Sequence, residues 1–224
     1  MSLKTCVNCL AGKTHRVAFK SFFPSRKSQI LDLIHTDVCM MQSRSIWGAL
    51  YFVTFIDDCF RKVWAFALKS KSQVLDIFKF FHAYVEKGTR RKLKCARADN
   101  GSEYKGPFEQ YCRSYGISLE KTVPKTPQQN GITERMYKII EERINCMISD
   151  AKLHKSFWAE VMRTTVDLII ISPSALLDGD IPKRVWTGKD VSYKHLRVFG
   201  CRDMFTSLKI RDRNLMIKPR TVFS

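Results

Sequence analysis

Three carboxylates stand where chemistry could be done. Asp37 closes the apolar alternation of "QILDLIHTDV", Asp99 follows "KLKCARA" and begins "DNGSEY", and Glu134 sits in "KTPQQNGITER" at the mouth of an apolar periodic run. Strand ends and a helix start can converge at one edge of a sheet-plus-helix domain. Carboxylates gathered in one place repel one another unless a cation neutralises them. Oxygen donors of this kind can cage two magnesium ions about 4 Å apart, with positions left open for phosphate oxygens. The chemistry expected of such a cage is in-line phosphoryl transfer on a nucleic-acid backbone. Glu134 has a plainer alternative, since acids also favour helix N-termini without any catalytic duty. Asp57 and Asp58 lie at another strand end, but in the tight turn "DDCFR" they read as turn formers.

The elements that must position these acids follow from the apolar period. Residues 29–38 alternate as a strand, and "ALYFVTFID" and "KVWAFAL" read as an aromatic, β-branched hairpin. The period then changes. Val74, Phe78, Phe81 and Val85 recur at helical spacing, with Gly88 where a C-terminal cap residue is expected. "KLKCARA" is a short strand, "PFEQYCRSYG" a short helix between Pro107 and Gly116, and "ISLEKT" another strand. A longer helix carries Ile132, Met136, Ile139, Ile140, Ile144 and Met147 on one side. "SFWAEVMRTTVDLIIIS" is the last helix before Pro173. Mixed strands alternating with helices argue an α/β domain with a largely central sheet.

Composition narrows the partners. The 39 basic residues against 21 acidic ones leave a net charge of +18, a field that favours polyanions. The charge is uneven: residues 1–31 carry Lys4, Lys13, Arg16, Lys20, Arg26 and Lys27 without an acid, and "EKGTRRKLKCAR" and "RDMFTSLKIRDRNLMIKPR" form two further clusters. No apolar run long enough to span a membrane occurs, and "MSLKTCVNCLAGK" lacks the apolar stretch of a secretory signal. The expected setting is therefore not secretory, and the eight cysteines read as free thiols. Cys39, Cys59, Cys95, Cys112, Cys146 and Cys201 are scattered singly, as small buried side chains would be.

The words around the three acids go further. "HTDV", "FVTFIDD", "ADNGSEY", "TPQQNGITER", "KSFWAEV" and "YKHLRVFGC", in this order, closely resemble the integrase region of copia-type LTR retrotransposon polyproteins, from about residue 4 to 210. The resemblance implies a ribonuclease H-like mixed sheet flanked by helices, with a short basic C-terminal extension. It divides the chain into an N-terminal zinc-module remnant and basic linker (1–27), a catalytic core (28–172) and a truncated extension (173–224). It implies a DDE triad, carried onto Asp37, Asp99 and Glu134, holding two Mg2+ or Mn2+ ions. Asp37 and Asp99 would share one ion, and Asp37 and Glu134 the other. The activity implied is polynucleotidyl transfer: DNA end processing and strand transfer between LTR ends and a target duplex, by a homo-oligomer in a nuclear or cytoplasmic particle. On this reading "PQQNG" is a mobile loop that admits DNA to Glu134. Gln128, Gln129 and Asn130 either hydrogen-bond the strand or are loop polars without a role. Lys138, one turn after Glu134, either contacts phosphate or forms an i,i+4 ion pair with Glu134.

Several positions depart from the pattern. The family has an N-terminal zinc module, but only five residues precede Cys6, and Cys6, Cys9 and His15 supply three ligands where a structural zinc site closes with four. Zinc is therefore not expected. Tyr137 stands where asparagine is common, Phe60 where serine is usual, leaving an exposed aromatic, and Met40 and Met41 where smaller or more rigid residues are frequent. The Asp99–Glu134 interval is one residue shorter than in many relatives, and the segment that normally follows "RTVFS" is missing. These departures raise a second expectation, a catalytically inactive nucleic-acid-binding remnant of the same fold.

Overall fold

Aromatic and β-branched residues crowd the strand Tyr51–Asp57, and all of them except Tyr51 are buried. A strand buried on both faces needs helices on both faces. The computed structural model, which describes residues 26–122 and 127–200 apart from His195 and Val198, supplies them. Five strands form one sheet: β1 (Ile34–Met40), β2 (Tyr51–Asp57), β3 (Val63–Leu68), β4 (Cys95–Ala98) and β5 (Ser118–Lys121). Their spatial order is β3-β2-β1-β4-β5. The first three run antiparallel as a meander, whereas β4 pairs parallel with β1 and β5 parallel with β4. The helices are α1 (Val74–Thr89), α2 (Pro107–Ser114), α3 (Pro127–Asp150), α4 (Trp158–Ile171) and α5 (Pro182–Thr187).

Strand alternation sends β2 into two cores. Val53 and Phe55 join Phe78 and Phe81 of α1 and Phe108 of α2 on one face. Phe52 and Ile56 join Ile140, Ile144 and Ile148 of α3 and Trp158, Val161 and Met162 of α4 on the other. Phe55 stacks on Phe81 with ring centroids 4.3 Å apart, and the Trp158 indole donates to the Ser43 carbonyl at 2.9 Å. The expected mixed sheet between helical layers is what the chain forms.

Four local expectations are corrected. The first strand begins at Ile34, because Leu31 takes a left-handed backbone (φ 63) that breaks the extended run from 29; Asp37 is then mid-strand, with Val38, Cys39 and Met40 beyond it. Gly88 lies inside α1, and Arg90 (φ 55) is the left-handed cap, with its amide donating to the Glu86 carbonyl. "PQQNG" is helical from Pro127 onward, since proline suits the first turn of a helix, where its missing N–H is not needed. Glu134 therefore lies two turns into α3 rather than at its mouth. Phe60 is half-buried rather than exposed, and of the two methionines Met40 is exposed while Met41 is buried. The short α5 was not expected. Its Trp186 packs edge-on to Trp64, and the Lys62 ammonium lies 4.9 Å from the Trp64 ring and 4.3 Å from the Trp186 ring. Among the described residues no helix is long and apolar enough to cross a membrane. Cys6, Cys9, His15 and residues 201–224 lie outside the described residues.

Candidate active site

The parallel pairing of β1 with β4 sets the site. Ile34 pairs with Ala96 and His35 with Arg97, and β4 ends at Ala98, so Asp37 on β1 and Asp99 just beyond β4 lie toward the same end of the two paired strands. Neighbouring strands lie about 5 Å apart in this direction. Asp37 also pairs with Thr54 on its other side, which makes β1 the central strand at this point. Each carboxylate is steadied by a backbone amide: Val38 N–H donates to Asp37 Oδ1 at 2.8 Å, and Gly101 N–H to Asp99 Oδ1 at 2.9 Å.

Two side chains register both acids. Burial pushes the Cys39 thiol up, and the charges of Asp37, Glu141 and Asp99 push it further. Burial also drives the Tyr104 phenol well up; a hydrogen bond with Thr36 opposes this, while Asp37, Asp99 and Glu103 add to it. The Tyr104 hydroxyl lies 2.9 Å from Thr36 Oγ1, which ties the turn after Asp99 to the strand that carries Asp37. Asn100 Nδ2 donates to the Thr122 carbonyl at 2.7 Å, and Thr122 N–H to the Ala98 carbonyl at 3.0 Å, fixing the end of β5 beside the same loop.

Glu134 is carried by another element. It is exposed on α3, with exposed Lys138 one turn on and half-buried Glu141 two turns on along the same face. Tyr137 does not project into open space: its ring stacks on Phe52 at 5.7 Å. Burial, with help from Glu141 and Cys39, pushes its hydroxyl up to about 12. The helix backbone includes Gln128, Gln129 and Asn130, whose side chains lie outside the described set, as do residues 123–126. Asp37 and Asp99 are thus brought together by the sheet. Among the described residues no group of three His, Cys, Asp or Glu side chains is disposed to hold a metal ion, so the three acids do not form a closed cage.

The donor set nonetheless has the chemistry of a hard-cation site. Asp37 and Asp99 offer hard carboxylate oxygens of the kind that Mg2+ and Mn2+ take. Sequence reasoning missed four participants. Glu103 and Lys71 form a 2.9 Å ion pair beside Asp99, Glu141 approaches Cys39, and Tyr104 anchors the loop. Glu103 and Tyr104 had a legible signal, since both stand in "DNGSEY" with Asp99. Asp57 and Asp58 proved more than turn formers. Asp57 accepts the amides of Leu31 at 2.9 Å and Phe60 at 2.8 Å, and Asp58 meets His35 and the Lys27 amide.

Comparison with known proteins places this geometry. Residues 27–127 match the integrase core domain family. The retrovirus-related Pol polyprotein from transposon TNT 1-94 of Nicotiana tabacum is 54% identical over 203 residues, 90% of this chain and 15% of that protein. The corresponding polyprotein from transposon RE2 of Arabidopsis thaliana is 33% identical over 199 residues, 89% of this chain and 14% of that protein. The chain thus spans a small part of the polyproteins it matches. Among solved structures, a chain of the simian T-cell lymphotropic virus intasome in complex with PP2A regulatory subunit B56 gamma shares the fold. Its TM-score is 0.60 at 16% identity, over 78% of this chain and 59% of that one.

Proposed function

Because this chain belongs to the integrase core domains of copia-type retrotransposon Pol polyproteins, we propose that it is a divalent-metal-dependent polynucleotidyl transferase that processes DNA ends and joins them to a target duplex. One observation carries the reading: parallel strands β1 and β4 carry Asp37 and Asp99 toward the same end, where the charges of both act on Cys39 and on Tyr104, in a chain of net charge +18. Asp37, Asp99 and Glu134 would hold two Mg2+ or Mn2+ ions, which when bound supply a Lewis acid and an activated oxygen nucleophile. The Val38 and Gly101 amides orient the two aspartates before any ion arrives. Lys138, on the same helix face as Glu134, neutralises a phosphate next to the site, and the basic clusters hold the backbone of the duplex without reading its bases.

A second reading, a nucleic-acid-binding remnant without catalysis, draws on Tyr137. Its ring fills space against Phe52 where the family commonly has asparagine. The two readings separate in a strand-joining assay with Mn2+ or Mg2+ and duplexes carrying matched LTR ends. Joining is expected from the parent chain. Asp99→Asn and Glu134→Gln should each abolish it while leaving DNA affinity within a small factor, since the affinity comes from phosphate contacts. That affinity should fall with salt at a log–log slope near −0.9 per phosphate contacted. Binding without joining would establish the remnant; joining that survives either substitution would refute the triad.

A further inference from the structure

We propose that Lys71 and Glu103 form a positioning pair that sets the Asp99 carboxylate. The proposal rests on the reading of Asp99 as a metal-holding residue, and on three contacts outside the triad. Glu103 lies in the short turn Ser102–Tyr104, and its side chain is only 3% exposed. A carboxylate so far from water needs a charged partner. Lys71 supplies it at 2.9 Å from a different segment, the turn that leads into α1, while remaining half-exposed itself.

The glycine between the two acids explains why the pair bears on Asp99. A Cβ on Gly101 would lie 2.7 Å from Glu103 Oε2, 2.8 Å from its Cδ and 2.9 Å from Asp99 Oδ1. Both carboxylates therefore close on the same space beside Gly101, which any side chain there would fill. The Gly101 amide is also the donor that holds Asp99 Oδ1. A line of contact runs from Lys71 to Glu103, across Gly101, to the acid expected to hold the ions. Without Lys71, two carboxylates would face each other over one glycine and repel. With it, Glu103 is neutralised and packed, and the Asp99 turn is held from both ends, by this pair and by the Tyr104–Thr36 hydrogen bond.

A pair that merely staples the α1 turn to the Ser102 turn would leave Asp99 indifferent to it. The test therefore reads Gly101 and the metal separately. Amide hydrogen exchange at Gly101 is measured in the metal-free protein, and Mn2+ affinity by the paramagnetic signal of the free ion, for Lys71→Met, Glu103→Gln and Lys71→Arg. Asp99→Asn is the reference. Lys71→Met and Glu103→Gln should speed Gly101 exchange about tenfold or more and weaken Mn2+ by about tenfold. Lys71→Arg should restore both, with the circular dichroism of all variants unchanged. Parent-level exchange at Gly101 in the two disruptive variants would overturn the proposal. So would faster exchange with Mn2+ affinity still at the parent level, which marks a staple. A parent that binds no Mn2+, or whose binding ignores Asp99→Asn, defeats the metal reading instead; Gly101 exchange then still decides whether the pair positions the Asp99 turn.

Discussion

Asp58 offers a test of the structure that needs no DNA and no metal. Its carboxylate is 8% exposed, lies 3.0 Å from His35 Nε2 and 3.1 Å from the Arg61 guanidinium, and accepts the Lys27 amide at 2.8 Å. Burial opposes its charge. The His35 hydrogen bond, the Lys27 amide and Arg61 together outweigh that burial and hold the group at about 2, against an ordinary 3.8. A folded-state value below the unfolded one means stability that is present above pH 3.8 and lost as pH falls toward 2. The drop corresponds to about 2 kcal/mol. His35 adds a second acid-sensitive window. Burial lowers it despite Asp58, with Arg97 and Arg61 acting in the same direction as burial, so folding resists its protonation and stability declines as pH falls through 6.5. Asp58→Asn keeps the shape and removes the charge. Urea unfolding across a pH series should show the variant about 2 kcal/mol weaker than the parent at pH 7. The gap should narrow as pH drops from about 4 toward 2, where the parent's own advantage is protonated away. A gap of constant size across that range would refute the electrostatic account and leave only packing.

Three further outcomes are expected. Mn2+ should raise the melting temperature by the equivalent of about 1–3 kcal/mol at concentrations well above Kd, and Asp99→Asn should shrink that shift without weakening the metal-free protein; differential scanning calorimetry reads both. Tyr137→Asn removes a ring stacked on Phe52 and should cost about 1–2 kcal/mol in chemical denaturation, with a gain in joining rate only if the ring blocks the site. Trp186→Ala opens the aromatic cover over Lys62, which burial, with Lys183 nearby, holds down at about 8; the lysine should titrate higher, as followed by the pH dependence of its methylation rate.

What the sequence disclosed about this chain follows the range of the interactions involved. The alternation in "FVTFID" and the helical spacing of Val74, Phe78, Phe81 and Val85 are local properties, and the corresponding β2 and α1 form where those patterns lie. The boundaries set by single backbone conformations were not legible. Nothing in the residue type announces that Leu31 and Arg90 adopt positive φ, because side chains elsewhere fix them: the Asp57 carboxylate accepts the Leu31 amide, and the Glu86 carboxylate takes the Leu93 amide just beyond Arg90. The same division runs through the site. Asp37 and Asp99 were singled out as acids at strand ends; Asp37 proved to be mid-strand, yet both acids act on Cys39 and on Tyr104, which only the pairing of β1 with β4 makes possible. Lys71 and Glu103 were not, since 31 residues separate them along the chain and their meeting depends on how the turn before α1 folds over the β4 loop. Glu134 lies between these cases. Its place on a helix face was legible, but the helix begins at Pro127 rather than at Glu134, so the acid rides on a long rigid element. Where that helix starts was not legible, because "PQQNG" is made of loop-like residue types while Pro127 suits the first turn of a helix equally well.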